Sequence, residues 1–360
     1  MVNKNITMRT LNDDGAYNKL YPQTSATQSE VSADTQQLFG QSTVDACLDK
    51  LANTISTLGR VVIKVVDANN NPIEGAVITG ISGQNVTDAQ GGASGILINN
   101  PITVKSPYVD LQDTTVDASD YTGSLNTLTV TLPIAGENAI RRFTTSKSVT
   151  FSKMLKTVDV CCVGGGGGGG NLIITSSGAY TYEHVSGGGG GGAIVNSYGK
   201  SINADTDYVL SVGSGGSSGY TGGTGGTTTF LSVNANGGGG AYVYQPTSGD
   251  PTGKGGSAGS PGSGKGGDYG YNGENSTISE FDDGVTFYSG GGGAGNKKGG
   301  TPNGANGAYI TGGYPDPSYP HSATTPGIGG GGGGATYDGQ IRADLPSAGG
   351  HGLVAIRFHF

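Results

Sequence analysis

Val158-Asp-Val-Cys-Cys-Val163, an apolar run of strand-forming residues, passes directly into seven consecutive glycines at 164–170. Further glycine tracts return at 187–192, 237–240, 290–293 and 329–334. Glycine loses more backbone entropy on folding than any other residue, so five such runs make a poor ordinary core. They suit a place where backbones approach closer than a Cβ allows. One such arrangement is a bundle of polyglycine-II helices, extended threefold helices whose N–H and C=O groups point sideways to neighbouring chains. The other is a set of flexible coils, the default for Gly/Ser-rich sequence. Short aromatic and β-branched segments alternate with the tracts and can tie each one down, which favours order.

Composition changes at the first tract. Of 72 glycines in 360 residues, 11 precede Gly164, so two regimes are read separately. There is no Gly-X-Y period and only 14 prolines, which excludes collagen. A formal charge of −8 without a Lys/Arg cluster argues against nucleic acid and anionic membranes as partners. The opening Met-Val-Asn-Lys-Asn-Ile-Thr has no apolar core of a signal peptide, and no apolar run is long enough to insert in a membrane. Cys47, Cys161 and Cys162 read as buried small hydrophobes of a protein made in a reducing cytoplasm, not as a disulfide framework.

Three regions follow in order. Residues 1–59 read as a polar arm and one helix for attachment or oligomerisation, started by Ser42 or Thr43 and stopped at Gly59. Val44, Cys47, Leu48, Leu51, Ile55 and Leu58 fall on one face; the spacing suits a short trimeric coiled coil or a single helix lying on the next domain. Residues 60–135 change to short strands with turn signals, among them Val61–Val66, Ala76–Ile81, Tyr108–Leu111 and Leu125–Leu132, the pattern of a small β-sandwich spacer. Residues 136–360 form the glycine-rich region. Its last strand, within His351–Phe360, is expected to close the sheet opened near Phe143–Val163. The fold class is therefore mainly β.

Three resemblances add to this. Val65, Asp67, Asn71-Pro-Ile73, Gly75-Ala-Val77, Thr87-Asp88 and Gly91 resemble the prealbumin-like modules related to carboxypeptidase regulatory domains, which implies a spacer or binding platform. Phe143-Thr144 with Ser146, then Val149–Phe151, Val158–Gly170, Tyr208–Gly216, Gly226–Phe230 and Gly350–Phe358, resemble the glycine-rich C-terminal domains of bacteriophage tail-fibre and receptor-binding proteins. Leu20-Tyr-Pro-Gln-Thr24 is similar to the opening of many tail fibres of phages of low-GC Gram-positive hosts. The chain departs from the polyglycine-II tail-tip adhesins in having fewer full-length tracts. The resemblance implies a homotrimeric adhesin at the distal end of a virion tail, attached to baseplate or tail proteins and recognising a bacterial surface glycan.

Candidate contact residues are the tyrosines between tracts: Tyr242, Tyr244, Tyr269, Tyr271, Tyr288, Tyr314 and Tyr319, with His321 beside them. A tyrosine offers a flat apolar face and one hydroxyl at small entropic cost, which suits sugar rings; the alternative is that these rings pin the tracts as core. Glu280, Asp282 and Asp283 carry the one carboxylate cluster suited to glycan hydrolysis, against which stands an ordinary solvated acidic turn. Gly259–Gly266 approaches a phosphate-binding loop, but Gly266 stands where the magnesium-binding hydroxyl belongs. The four histidines show no metal-ligand spacing. No catalytic set, cofactor or metal is expected.

Overall fold

A computed structural model describes residues 8–11, 17–20, 59–123, 126–171, 173–177, 180–184, 186–244, 252–268, 271–294, 297–308, 323–335 and 346–360. The expected helix carrying Val44, Cys47, Leu48, Leu51, Ile55 and Leu58 lies outside the described residues. Helix among the described residues is confined to two single 3-10 turns, Ser119–Tyr121 and Glu280–Asp282. The chain divides into two units, Met1–Pro107 with Gln112–Ile134, and Tyr108–Leu111 with Ala135–Phe360.

In the first unit β1 (Met8–Leu11) pairs antiparallel with β2 (Tyr17–Leu20). Among the described residues seven further strands follow: β3 (Arg60–Val66), β4 (Val77–Thr79), β5 (Ile81–Gln84), β6 (Gly92–Leu97), β7 (Ile102–Lys105), β8 (Thr114–Val116) and β9 (Thr127–Thr131). They form a four-stranded sheet, β5-β6-β3-β9, and a three-stranded sheet, β4-β7-β8. Alternate residues are buried: Val61, Ile63 and Val65 on β3, Leu128 and Val130 on β9, Ile102 and Val104 on β7. The expected single strand over Ala76–Ile81 is in fact two. Gly80, at φ +103, turns the chain from one sheet to the other, and a Cβ there would crowd the Asn99 carbonyl at 2.7 Å. The strand expected at Tyr108–Leu111 is instead a turn, the Leu111 N–H donating to the Tyr108 carbonyl at 3.3 Å, and these residues belong to the second unit. Asp110 is fully buried there and its carboxylate accepts the Ser152 N–H at 2.9 Å.

Among the described residues the second unit has twelve strands: β10 (Ile140–Phe143), β11 (Lys147–Thr150), β12 (Thr157–Val163), β13 (Ile173–Ser177), β14 (Tyr180–His184), β15 (Ile194–Ser201), β16 (Asp207–Leu210), β17 (Thr228–Phe230), β18 (Val233–Ala235), β19 (Tyr242–Tyr244), β20 (Thr252–Lys254) and β21 (Leu353–His359). The principal sheet runs β10-β21-β12-β15 and is antiparallel throughout. The final strand does close it, inserted between β10 and β12 with Val160 opposite Ile356. β12 is apolar almost end to end because both of its faces are covered. Val158, Val160 and Cys162 join Phe151, Leu210, Phe230, Val233, Ile356 and Phe358 on one side. Cys161 and Val163 join Phe281, Tyr288 and Leu353 on the other. Both thiols are free, and burial pushes both upward, that of Cys162 to about 12, so neither is a nucleophile at neutral pH.

The strand expected at Thr227–Val233 is instead a hairpin of β17 and β18. Leu231 (φ 47) and Ser232 (φ 63) form its two-residue turn, and neither is the Asn or Gly that usually marks one.

The glycine tracts are ordered by a hydrogen-bond pattern with a period of three. Gly164, Gly167 and Gly170 donate to Ala193, Gly190 and Gly187; Gly165 and Gly168 donate to Gly226 and Gly223; Gly166 and Gly169 donate to Gly350 and Ser347. The carbonyls of the same tract accept from three other runs. Gly238 and Ala241 donate to Gly165 and Gly168, Gly216 and Gly219 to Gly166 and Gly169, and Gly332 and Ala335 to Gly167 and Gly170. Residues 164–170 therefore sit inside a ring of six neighbours, as a threefold extended helix allows and a β-strand does not. The tract 187–192 is surrounded in the same way, by 329–332, 236–239, 264–267, 256–259, residue 292 and the first tract. Both are buried along their length, so the centre of this unit is backbone without side chains. A Cβ on any of residues 164–169 or 187–192 would come closer than 3.0 Å to a backbone atom of a neighbouring run.

Candidate functional site

The tracts have two different ends. At one, the chain passes between tract and sheet without a break: β12 leads into Gly164, and β15 leaves Ala193. At the other lie Gly170, Gly187, Gly219, Ala241, Gly267 and Ala335, joined to the two central tracts by Gly170→Gly187, Gly219→Gly169, Ala241→Gly168, Gly188→Gly267 and Ala335→Gly170 bonds. Ser186 fastens this end, its Oγ donating to the Gly170 carbonyl and accepting the Ala335 N–H at 2.7 Å. From it issue the hairpin β13–β14, the turn at Tyr220, the hairpin β19–β20 and the turn at Tyr271. The chain also leaves this end at Ala308, whose N–H donates to Gly334, and returns at Ala323, beside Gly333.

The sequence-predicted tyrosines divide between the two ends. Tyr271 is 69% exposed and Tyr242 is 48% exposed, both at the loop-bearing end. Tyr244 follows Tyr242 on β19. Tyr269, Tyr314, Tyr319 and His321 lie outside the described residues. Tyr288 is at the sheet end and only 7% exposed, its hydroxyl donating to Glu280 Oε2 at 2.6 Å. Its ring is core, because the loop that carries it is folded onto the sheet. Sequence reasoning passed over Tyr220, which is 59% exposed at the loop-bearing end. The signal was present in its flanks, where Ser and Thr alternate with glycine pairs on both sides.

Around Tyr271 the surface is framed by lysines. Asp268 accepts the Gly255 N–H at 2.7 Å and is paired with Lys265 at 3.5 Å and Lys254 at 3.6 Å. Asn272 Oδ1 accepts the Lys298 N–H at 3.0 Å, and Tyr242 stands opposite Lys254 in the β19–β20 register.

The acidic loop sits at the sheet end, and only part of it is a solvated turn: Asp282 and Asp283 are exposed, whereas Glu280 is buried. Glu280 is 1% exposed; its Oε2 accepts from Arg142 Nε at 3.1 Å and from Tyr288. Its Oε1 is held by charge alone, with Arg142 Nη2 at 2.8 Å but off the hydrogen-bond direction. Burial and then the Glu280 carboxylate push the Tyr288 phenol upward. Asp282 accepts from Tyr198 and from Asn196 at 3.2 Å, and Asp283 accepts the Val285 and Thr286 N–H groups at 2.9 Å. Each carboxylate therefore has its own structural partners. Phe281 (φ 48) and Asp282 (φ 55) adopt left-handed backbone, which the Arg357 guanidinium 4.7 Å above the Phe281 ring helps to hold. The phosphate-loop-like stretch is likewise engaged. The N–H groups of Gly259, Gly264 and Gly266 donate to Gly191, Ser289 and Gly256, which leaves them unavailable to a phosphate.

Beside this loop Asp159, Arg357, His359 and Glu137 form a charged chain. Asp159 Oδ2 lies 2.5 Å from Arg357 Nη2 and 2.8 Å from His359 Nε2, while His359 Nδ1 lies 2.9 Å from Glu137 Oε1. Burial of Asp159 favours its neutral form, but the Gly199 N–H, His359 and Arg357 outweigh it and lower the carboxyl. The Phe360 N–H and His359 lower Glu137, and Asp159 and then Glu137 raise His359. A raised histidine contributes stability that is complete below about pH 6.5 and lost as pH climbs through its folded value; the lowered carboxyls contribute stability lost as pH falls below about 4. Thermal stability is therefore expected to peak between roughly pH 4.5 and 6.5. Calorimetry from about pH 3 to about pH 9 checks it, with His359→Gln flattening the alkaline side; an unchanged alkaline slope in that variant would count against the assignment.

A family profile described as a glycine-rich domain matches residues 143–359, more than half of the chain. No curated protein matches the sequence.

Proposed function

For a chain that belongs to the glycine-rich domain family, we propose the role of a phage tail-fibre or receptor-binding protein that recognises a bacterial surface glycan. The observation that carries this is the gathering of exposed Tyr220, Tyr242 and Tyr271 at one end of a stiff glycine bundle. Variable loops on a rigid scaffold are a recurrent solution for recognition, since the scaffold bears the ordering cost in advance. The rings supply flat apolar area and hydroxyls suited to sugars. Segments 309–322 and 336–345, with Tyr314, Tyr319 and His321, belong to the same set of inter-tract loops in sequence. In this reading the N-terminal region joins three copies and attaches them to the baseplate or tail, and the weak single sites act together. The protein then resides at the distal virion tail.

Whole-cell binding by the full chain tests the proposal. Tyr242→Ala with Tyr271→Ala is expected to lower binding to host cells by about tenfold at unchanged thermal midpoint, an effect of the size typical of aromatic contact residues. Extracted surface polysaccharide is expected to compete. Adsorption unaffected by both changes would favour a purely structural fibre component instead.

A further inference from the structure

A second surface lies along the flank of the bundle and meets the loop-bearing end only at the turn of Tyr220. The runs 213–219 and 221–227 are neighbouring outer tracts that lie antiparallel, with Gly226→Ser214 and Gly223→Ser217 hydrogen bonds between them. Within them every third residue carries a hydroxyl: Ser214 and Ser217 on one run, Thr221, Thr224 and Thr227 on the other. All five are exposed, while the glycines between them are buried or half-buried. None of the five hydroxyls has a hydrogen-bond partner among the described residues. Tyr220, also exposed, stands at the turn that joins the two rows. No charged residue and no histidine occurs between Asp207 and Asp250, in a chain whose net charge is −8.

We infer that this flank binds an extended, uncharged polysaccharide laid along the tracts. Each hydroxyl can donate once and accept twice, which matches the mixed donors and acceptors of sugar hydroxyls. Three residues of a threefold extended helix advance roughly 9 Å, close to the repeat of two linked rings in a ribbon-like 1,4-linked β-glycan. The backbone beneath is fixed by its lattice bonds, so binding orders little but five short side chains. The aromatic face of Tyr220 offers a stacking position at one end of the row. Absence of charge disfavours uronate- or phosphate-bearing chains, whose desolvated anions would find no counter-ion here. The inference rests on the glycan-recognition reading above and moves a contact from the loop end to the flank.

Titration calorimetry of the full chain with hexamers of 1,4-linked β-glucose and of its N-acetylamino analogue tests it. At least one hexamer is expected to bind. The change Thr221→Val, Thr224→Val and Thr227→Val keeps the branched shape and is expected to weaken binding about tenfold or more, as loss of several hydrogen bonds should. Tyr220→Ala is expected to weaken binding too, and Val285→Ala, an exposed change at the sheet end, to leave it unchanged; equal thermal midpoints show that each variant is folded. Hexamer binding that survives the triple change with Tyr220→Ala overturns the flank while leaving glycan recognition intact. Failure of the wild type to bind either hexamer, with host cells still bound, also overturns the flank and leaves the adhesin reading standing. Failure in both assays removes both.

Discussion

Alanine at Gly167 is expected to cost about 4 kcal/mol or more and to leave little folded protein at 37 °C. The added Cβ would meet the Gly239 carbonyl and the Gly240 nitrogen closer than 3.0 Å. Both are backbone, and neither can rotate aside. The tract would have to move away from Gly239, and its own bonds to Gly190, Gly332 and four other runs would stretch with it. In an ordinary core a methyl group is absorbed by rotamer changes nearby; here no rotamer exists to change. Gly189→Ala is expected to behave alike, since its Cβ would strike the Gly167 carbonyl. Gly219→Ala is the informative contrast. Its nearest contact would be the Thr221 carbonyl at 3.4 Å, an ordinary distance, so stability should stay within about 1 kcal/mol of wild type. Denaturant unfolding of the three variants decides the matter. Equal stabilities for Gly167→Ala and Gly219→Ala would mean that the six-neighbour packing is wrong.

Removing Arg142 is expected to destabilise the second unit by about 3 kcal/mol, the usual consequence of stranding a buried carboxylate. Glu280 would keep only the Tyr288 hydroxyl, and its Oε1 would face a site without solvent. The desolvation penalty resides on the glutamate; the arginine itself is 44% exposed and can hydrate when unpaired. Arg142→Ala should therefore cost more than Glu280→Gln, which retains the shape of the buried partner without its charge. Replacing both, as Arg142→Met with Glu280→Leu, is expected to recover most of the loss. A double-mutant cycle by chemical denaturation measures this. Simple additivity of the two single changes would show that the pair is not coupled. Because Phe281 and Tyr288 share the core with Cys161 and Val163, loss of the pair should also loosen the loop 278–289 from the sheet.

Part of the candidate site was legible in the chain and part was not. The exposed Tyr242 and Tyr271 were found because aromatic residues between glycine tracts have few alternatives to a loop. Tyr288 looked the same in sequence, yet it is buried, since Arg142 lies 138 positions from Glu280 and no local pattern announces that pairing. Glu280, Asp282 and Asp283 read as one acidic cluster, whereas the fold turns them to three different sets of partners. The hairpin turn at Leu231-Ser232 was invisible because its residues are not those a left-handed turn prefers.

What the amino-acid order determined by itself was the division of regimes at Gly164, the mainly β character, and the need for side-chain-free contact in the tracts. These follow from local chemistry: strand formers alternate, and glycine alone permits such approach. The pairing of the final strand was also readable, because β21 has two distinct faces to match. Only the tertiary structure decided which tract lies beside which. A run of identical glycines carries no register and no face, so nothing in it distinguishes one neighbour from another. The neighbours are chosen by the strands that enter each tract and by fasteners such as Ser186, and those act only once the chain is folded.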